Sequence, residues 1–412
     1  MSGPPSRAAV VAMVALLSLG AAGCRAGSSA GAGRSSTTAP AAVVGSSSAR
    51  TSAPTRAGRS GTAEPIADPP NVYAHAGAGM FRADERGDKA YVYVPSNDTG
   101  TVTVIDQRTR SVVGTYPVGK LAQHVVPAHG LDVLYATASG ANQLVPIDPR
   151  TGLPGRPIPV AAPYNLYFTP DGRSAVVMAE RLGRMDFYDP KTWQQQRSVP
   201  VPCRGVNHAD WSVDGRWFVV TCEFSGQLLQ VDSGTGRVLR TIALPSGSMP
   251  QDIRLTPDGK QFYVADMMYG GLWTLDAQTL TVGRLIATGK GTHGIYPSRD
   301  GTRFYISNRG RAMGDEHRRS HDGDGSVSVV DPGTGSVTAT WTIPGGGSPD
   351  MGGVSGDGTL LWLSGRYDAE VYAFDTATGR LVARIPVPSG PHGLCVFPQP
   401  GRYSLGHTGN DR

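Results

Sequence analysis

The sequence has 412 residues, of which 39% are hydrophobic and 7% aromatic, so the chain is long enough to bury a large core. Its 55 glycines and 32 prolines are typical of a turn-rich all-β protein. The formal net charge is +5, but residues 1–70 hold six arginines and two acidic residues, which leaves 32 basic and 31 acidic residues in 71–412. The folded part is therefore nearly neutral, and nothing in it favours a nucleic-acid partner.

The first 70 residues have the composition of an export signal followed by a tether. Arg7 precedes an apolar run over 8–22, which is too short to span a bilayer. The run ends in Ala-Ala-Gly-Cys24, which resembles the end of a bacterial lipoprotein signal. We predict a lipoprotein-type signal peptide over 1–23, lipidation of Cys24, and a flexible Ala/Ser/Gly/Thr/Pro tether over 24–70. An ordinary secretory signal with an incidental cysteine is the alternative.

These segments predict an exported protein, lipid-anchored to the outer face of the bacterial cell membrane. Because an exported chain meets oxidising conditions, we predict a disulfide between Cys203 and Cys222, which flank one predicted hairpin. Two buried thiols are the alternative. Cys395 lies within an apolar strand and is expected to be a small core residue.

A repeat runs through the rest of the chain. Seven short strands of alternating apolar residues end at or beside an aspartate, and successive aspartates lie 42, 41, 43, 44, 55 and 44 residues apart: Asp106, Asp148, Asp189, Asp232, Asp276, Asp331 and Asp375. A strand-rich repeat of this length predicts a β-propeller, in which each repeat is one blade.

The strand count predicts how the propeller closes. A full repeat holds four strands, but the chain begins with the second, third and fourth strands of a repeat at 91–94, 101–105 and 112–118. It ends with one innermost strand at 393–397. We therefore predict that 71–412 is a monomeric all-β, seven-bladed β-propeller of four-stranded blades, closed three-plus-one by the C-terminal strand. Segments 71–88 and 403–407 are not assigned to a blade and are expected to cover the closure.

The first repeat has a familiar sequence. Residues 91–97 (YVYVPSN), together with 262–266 (FYVAD) and 304–308 (FYISN), resemble the YVTN family of bacterial and archaeal β-propellers. The resemblance covers about residues 88–400. It implies a propeller fold and an exported or cell-surface binding protein, and it implies no catalytic residue.

Polar residues recur where the innermost strands begin. The starts of these strands ring one mouth of a propeller channel, and each repeat places one polar residue within one residue of a common register: His124, Asn165, His208, Asp252, His293, Asp350 and His392. Such a ring has the side chains that bind a divalent metal, an anion or a polar small molecule. A solvated channel without a ligand is the alternative.

Two functions remain open from the sequence, and neither has an assigned catalytic residue. The first is a binding module that takes a cell-envelope protein, a glycan or a small polar ligand through this His/Asp-ringed mouth. The second is a metal-dependent lyase or lactone hydrolase at the same mouth, which needs at least three of its histidines around a divalent ion. A third possibility is a structural role in the cell envelope, which requires neither a bound ligand nor a metal ion. No cofactor is firmly implied, and the additional residues of the 55-residue spacing fall in 309–325, a loop predicted to overhang the mouth.

Overall fold

The computed structural model describes residues 71–85, 87–311 and 325–412. The signal peptide, Cys24, the tether and most of the 309–325 loop lie outside the described residues. Within the described part of the chain, seven antiparallel sheets form a ring, and three short 3-10 turns occur at Ala83–Glu85, Glu180–Leu182 and Glu223–Ser225. Among these residues, no helix reaches the length and apolarity needed to cross a membrane.

The described strands follow one another as four-stranded antiparallel units. In chain order they are β1 (Tyr91–Ser96), β2 (Thr101–Asp106), β3 (Ser111–Pro117), β4 (Ala122–Pro127), β5 (Leu134–Ala138), β6 (Gln143–Asp148), β7 (Leu153–Pro154), β8 (Ile158–Pro159), β9 (Asn165–Phe168), β10 (Ala175–Ala179), β11 (Arg184–Tyr188), β12 (Gln195–Pro200), β13 (Val206–Trp211), β14 (Trp217–Cys222), β15 (Gln227–Asp232), β16 (Val238–Ala243), β17 (Pro250–Leu255), β18 (Gln261–Asp266), β19 (Gly271–Asp276), β20 (Val282–Ala287), β21 (Thr292–Pro297), β22 (Phe304–Asn308), β23 (Ser326–Asp331), β24 (Ser336–Thr342), β25 (Pro349–Val354), β26 (Leu360–Gly365), β27 (Glu370–Asp375), β28 (Leu381–Pro386) and β29 (Cys395–Phe397).

Each blade runs from an inner to an outer strand. Blade 1 comprises β29, β1, β2 and β3, and blades 2 to 7 begin with the inner strands β4, β9, β13, β17, β21 and β25. The outer edge of blade 2 is divided into β7 and β8, which both pair with β6. Both short strands end in a proline, which lacks the N–H needed to continue the hydrogen-bond ladder.

The two ends of the described chain meet in blade 1. Strand β29 pairs antiparallel with β1, with Cys395 opposite Tyr93 and Phe397 opposite Tyr91. The innermost strand of the first blade thus comes from the C-terminal region, which confirms the predicted three-plus-one closure of a seven-bladed propeller. Closure leaves no open edge between the first and last blades.

The seven repeat aspartates have a structural role in the turns between third and fourth strands. Asp106 Oδ1 accepts a 2.7 Å hydrogen bond from the Thr109 amide, and Asp276 accepts one of 2.7 Å from Thr279. The other five repeat the arrangement with following amides. These side chains fix the turns, so they mark the repeat without belonging to a ligand site.

The cysteines behave as the sequence predicts. Cys203 and Cys222 form a disulfide with a Cα–Cα distance of 6.0 Å, and it links the loop before β13 to the end of β14. The neighbouring ladder pairs Val206 with Cys222, so Cys203 reaches the bridge from the preceding loop. Cys395 is a buried thiol packed in the core cluster that also contains Tyr93.

The N-terminal described segment covers the face where inner strands end. The Val72 amide donates to the Pro257 carbonyl, the Tyr73 hydroxyl donates to the Leu255 carbonyl, and the Gly79 amide donates to the Gly356 carbonyl. These partners follow or end the inner strands of blades 5 and 7. The segment was expected to cover the closure. It lies across blades 5 and 7, and it also meets the chain that follows the closing strand, where the Gly401 amide donates to the Met80 carbonyl and Arg82 donates to the Arg402 carbonyl.

Candidate functional site

All seven predicted ring residues lie inside the channel, and none has more than 2% of its surface exposed. The four histidines form a closed circuit of neighbouring rings. Centroid distances are 5.8 Å from His124 to His208, 6.2 Å from His208 to His293, 5.7 Å from His293 to His392 and 4.9 Å from His392 to His124. The histidines share a register only to within one residue, as predicted: His124 and His208 stand directly before the residue where ladder pairing resumes, and His293 stands two residues before it. Their rings nevertheless come into contact. Their role in binding a ligand stays a prediction.

A recurrent bulge aims these side chains inward. In five of the seven blades the inner-strand ladder shifts register where a ring residue stands, for example between Ala122 and Val125 and between Val206 and Ala209. A regular strand would send adjacent side chains to opposite faces, and a bulge changes that direction locally.

Hydroxyl side chains on the second strands compensate for the interrupted ladders. Thr137 Oγ1 accepts a 3.0 Å hydrogen bond from the His124 amide, and Thr221 Oγ1 accepts one of 3.2 Å from the His208 amide. Ser307 Oγ plays the same part for the Gly294 amide, at 2.9 Å. The bulged backbone thus stays satisfied although it is buried.

Asp350 is the centre of a charged cluster on one side of the channel. Arg309 approaches its Oδ1 with Nε at 2.7 Å and Nη2 at 2.6 Å, and His293 Nδ1 lies 3.2 Å from the same oxygen. His392 Nδ1 lies 2.7 Å from Oδ2. Burial opposes ionisation of Asp350, but Arg309 and then the two histidines outweigh it and hold its pKa well below the usual range. The carboxylate is therefore ionised and fixed in place.

Asp252 and Asn165, the ring residues of blades 5 and 3, have different partners. Asp252 accepts backbone hydrogen bonds from Ile253 and Ile295, and its Oδ1 lies 3.6 Å from Nη1 of the fully buried Arg254. Burial raises the pKa of Asp252 to about 6. Asn165 Nδ2 lies 3.3 Å from Nδ1 of His208 and 3.0 Å from Nδ1 of His407.

His407 is the member of the site that sequence reasoning did not select. It belongs to the tail over 404–412, which pairs with the channel side of β9 through a bridge between Gly406 and Tyr167. Its ring lies 4.9 Å from that of His208 and 5.4 Å from that of His124. The tail has no repeat pattern, so the sequence offered no register by which to place His407 in the channel. The only available sign was that polar residues remained after the seven repeats had been assigned. Residues 403–407 were expected to cover the closure, but Leu405, Gly406 and His407 lie along β9 of blade 3.

The buried histidines are neutral. Burial is the main cause that lowers the pKa of His124, His208, His293 and His407 well below the ordinary value. Burial also lowers the pKa of His392, to about 4, although Asp350 opposes the shift. Neutral imidazole carries one unprotonated nitrogen, which is the form that accepts hydrogen bonds or binds metals.

One subset of the histidines has the geometry of metal ligands. One ring nitrogen from each of His124, His208 and His407 lies within 4.8 Å of those of the other two. Of the four ring histidines, only His124 and His208 belong to this group, and His407 is its third member. His392 is hydrogen-bonded to Asp350, and His293 Nδ1 lies 3.2 Å from the same carboxylate.

Residues of both charges lie above the ring, where the second and third strands connect. Asn207 donates a 2.9 Å hydrogen bond to Glu223 in blade 4. Burial, followed by the charge of Glu223, raises the pKa of Glu180 in blade 3 to about 7. On the other side, Arg309 follows β22 in blade 6 and Arg366 follows β26 in blade 7. Acidic and basic groups thus flank the channel from opposite blades.

Tyr164 lies beside the histidine circuit and contacts two of its rings. Its hydroxyl lies 3.3 Å from Nε2 of His392, and its carbonyl lies 2.9 Å from Nδ1 of His124. Burial raises the pKa of the hydroxyl well above its ordinary value, so it stays protonated. The phenol therefore donates to His392 when the Nδ1 proton of that ring points to Asp350.

Fold and site together define the chain as a seven-bladed β-propeller with a polar, histidine-lined channel. No family model and no curated protein matches the chain. Solved structures do match: a functionally unknown protein from Desulfotomaculum acetoxidans DSM 771 has a TM-score of 0.61 at 16% identity, covering 75% of this chain and 99% of that one. Hydrazine synthase from Kuenenia stuttgartiensis has a TM-score of 0.58 at 18% identity, covering 71% and 94%.

A third solved structure, the dihydro-heme d1 dehydrogenase NirN, has a TM-score of 0.55 at 13% identity and covers 77% of this chain and 78% of that one. Likeness at this level of identity shows a shared fold. Because one propeller fold carries many unrelated activities, the function has to be argued from the channel of this chain.

Proposed function

We propose that this chain is an exported binding module that holds a small polar ligand bearing both a basic and an acidic group at the mouth of its channel. The observation that carries the proposal is the separation of charge across the mouth, with Glu180 and Glu223 on blades 3 and 4 and Arg309 and Arg366 on blades 6 and 7. A dipolar ligand satisfies both sides at once, whereas a ligand of one charge meets repulsion from half of the rim.

Burial makes these charges effective. Glu223 has 8% of its surface exposed and Arg309 has 7%, so both act in a medium that screens them less than water. The same burial raises the pKa of Glu223, and Arg309 is already paired with Asp350, so the ligand is expected to share these groups with their protein partners. Between them, Tyr164 and His392 form a floor of polar groups already fixed by hydrogen bonds. Preorganised polar groups of this kind orient a ligand without the entropy cost of ordering flexible side chains.

Export and membrane attachment are part of the same proposal. The apolar run before Cys24 supports it, and so does the Cys203–Cys222 disulfide, because such bridges persist in oxidising compartments. The sequence at 91–97 supports membership of the YVTN family, whose members are expected at the cell surface. Replacing Cys24 with serine is expected to move the protein from the membrane fraction to the soluble fraction.

The binding test uses the purified full chain and a panel of amino acids, dipeptides and amino sugars, first by thermal shift and then by calorimetry. We expect a dipolar compound whose affinity falls at least about tenfold in Glu180→Gln and in Arg366→Gln, the loss of one charge-assisted contact. Arg181→Gln is the matched control, because Arg181 is exposed and bonds the Ser139 carbonyl. A panel without a ligand, or a ligand indifferent to both rim variants, contradicts the proposal.

The binding is also expected to depend on pH. Glu180 has a pKa of about 7, so it becomes anionic as the pH rises through neutrality. Affinity for a compound with a permanently charged quaternary ammonium group should rise between about pH 6 and pH 8, and Glu180→Gln should remove this rise. The quaternary group keeps its charge over this pH range, so a change in affinity must come from titration of a group on the protein.

A metal-dependent lyase or lactone hydrolase remains the alternative function. It requires an open coordination position that substrate reaches. His124, His208 and His407 are completely buried, which favours the binding module. Turnover of a lactone panel by the metal-loaded chain, abolished in His208→Gln, would establish the enzyme instead.

A further inference from the structure

The C-terminal tail brings His407 into the channel at a conformational cost. His407 has φ of 57°, in the left-handed region that residues other than glycine seldom adopt. Its amide donates to the Leu166 carbonyl at 2.9 Å, and the Phe168 amide donates to the Leu405 carbonyl at 2.9 Å, so the tail is held along β9. The imidazole at the end of this arrangement has no exposed surface.

The Nε2 atoms of His124, His208 and His407 share an unusual environment. Each is buried, and within the described residues each lacks a hydrogen-bond partner. A buried polar atom left without a partner costs about 1–3 kcal/mol, and native structures contain few such atoms. Here three such nitrogens lie on rings that contact one another. A single partner shared by all three explains this arrangement better than ordinary side-chain packing does.

The opposite nitrogens are engaged. His124 Nδ1 donates to the Tyr164 carbonyl at 2.9 Å, which leaves the lone pair on Nε2. The Nδ1 atoms of His208 and His407 both face the side-chain amide of Asn165. A metal-bound histidine characteristically uses one nitrogen for the ion and holds a polar group with the other.

From this geometry we infer that His124, His208 and His407 bind one divalent transition-metal ion of the zinc, copper or nickel class, with the tail supplying the third ligand. Imidazole is the ligand type that these ions favour. A point equidistant from three nitrogens no more than 4.8 Å apart lies at most about 2.8 Å from each, against about 2.0–2.1 Å for a zinc–nitrogen bond. An inward shift of at most about 0.7 Å by each ring therefore completes the site.

Charges around the site are compatible with a cation. Asp252 Oδ1 lies 3.7 Å from Nε2 of His407, so a carboxylate stands beside the cluster. Arg254 is also buried here, but it faces Asp252 at 3.6 Å and interacts with Asp210. Asp210 is also paired with Arg412, so two carboxylates face two guanidinium groups and the four charges balance.

Asn165 has a distinct part in the proposal. In the structure, Nδ2 of Asn165 points to the carbonyl of Asn207 at 3.3 Å and to the Nδ1 atoms of His208 and His407. Because this atom is an amide nitrogen, it acts as the hydrogen-bond donor to both rings. With an ion on Nε2, these rings carry their protons on Nδ1, so the amide must turn its oxygen toward them. Asn165→Asp supplies an acceptor without this rotation and should tighten metal binding about tenfold. Asn165→Leu should weaken it about 10–100-fold.

The test measures metal bound by the purified full chain carrying a histidine-free affinity tag. After incubation with Zn²⁺, Cu²⁺, Ni²⁺ or Co²⁺ and desalting, mass spectrometry of the elements should find one ion per chain for at least one metal. Bound Co²⁺ should also show the visible absorption of nitrogen coordination. His208→Gln and His407→Asn should each lower the affinity by more than about 100-fold, since loss of a group that only orients a ligand already costs about 10–100-fold.

The controls separate the site from the fold and from surface binding. Asparagine tolerates left-handed backbone, so His407→Asn keeps the tail conformation while it removes the imidazole. His129→Asn is the matched control, because the His129 ring lies outside the cluster and stacks on Tyr403, the residue before the tail, at 4.9 Å. If His407→Asn loosens the tail and lowers the melting temperature, His208→Gln and the two Asn165 variants decide the question. A chain that retains no ion, or ions kept equally by all variants, overturns the inference.

Discussion

His392 donates a 2.7 Å hydrogen bond from Nδ1 to Oδ2 of Asp350, across the junction between blade 7 and the closing strand of blade 1. The same carboxylate receives the Arg309 guanidinium on its other oxygen. One buried aspartate therefore contacts two regions at once: the residues that precede the closing strand β29, and the charged residues at the mouth of the channel.

This arrangement predicts a strong effect of removing the charge. Asp350→Asn leaves Arg309 buried without its counter-charge, and breaking a buried ion pair costs about 3–5 kcal/mol. We expect the free energy of unfolding in urea to fall by about this amount.

A double-mutant cycle supplies the control. Arg309→Met removes the guanidinium with similar volume, so Asp350→Asn combined with Arg309→Met should cost less than the sum of the single changes. Additive losses would show that the two side chains do not stabilise the fold as a pair.

A second prediction concerns Arg412 at the end of the tail. Its Nη2 lies 2.7 Å from Oδ1 of Asp210, and its guanidinium lies 4.8 Å from the Tyr73 ring centre. Arg412→Ala leaves Asp210 buried with fewer partners, so the unfolding free energy should fall by about 3 kcal/mol. Arg402→Ala is the control, because Arg402 is exposed. Equal stability of the two variants would contradict the structural role of Arg412.

The third prediction is a pH dependence of stability caused by Glu85. This carboxyl is 3% exposed, and neither of its oxygens has a hydrogen-bond partner within the described residues. Burial, followed by the charge of Asp411, raises its pKa to about 8 from 4.5. The folded state thus binds the proton more tightly than the unfolded chain, so the stabilisation is complete below about pH 4.5 and is lost as the pH rises to about 8.

Glu85→Gln removes this loss, because glutamine stays neutral. We expect the variant to be more stable than the parent by on the order of 2 kcal/mol at pH 8, and nearly equal to it at pH 4.5. Urea titrations at several pH values measure the difference. Asp132→Asn, at an exposed carboxyl, should leave the pH profile unchanged. A constant offset between Glu85→Gln and the parent would refute the titration of Glu85 as the cause.

The fourth prediction concerns the disulfide. Cys203 and Cys222 are 19 residues apart, and closing a loop of this length stabilises a fold by about 3 kcal/mol through the unfolded state. Replacing both cysteines with serine should lower the melting temperature, and reduction should lower that of the parent but not that of the variant. Cys395 is buried, so labelling of the native chain should not reach its thiol. An unchanged melting temperature on reduction would argue against the bridge in the folded protein.

The sequence by itself determined the fold and the inner ring. Aspartates at regular spacing and the three leading strands required seven blades and a closing strand, because turn chemistry and strand alternation are local properties. The same regularity placed His124, His208, His293 and His392 within one residue of a common register. It did not reveal their burial or the bulges, since the direction of a side chain depends on the partner strand.

Only the tertiary structure decided which histidines meet and what completes the cluster. His407 lies 199 residues beyond His208 in a segment without periodicity, and its place follows from pairing with the channel side of β9. Similarly, the charge of Asp350 is set by Arg309 from the neighbouring blade. Ring closure brings these distant residues together, and contacts of that kind depend on packing across the whole propeller, which no local pattern in the sequence records.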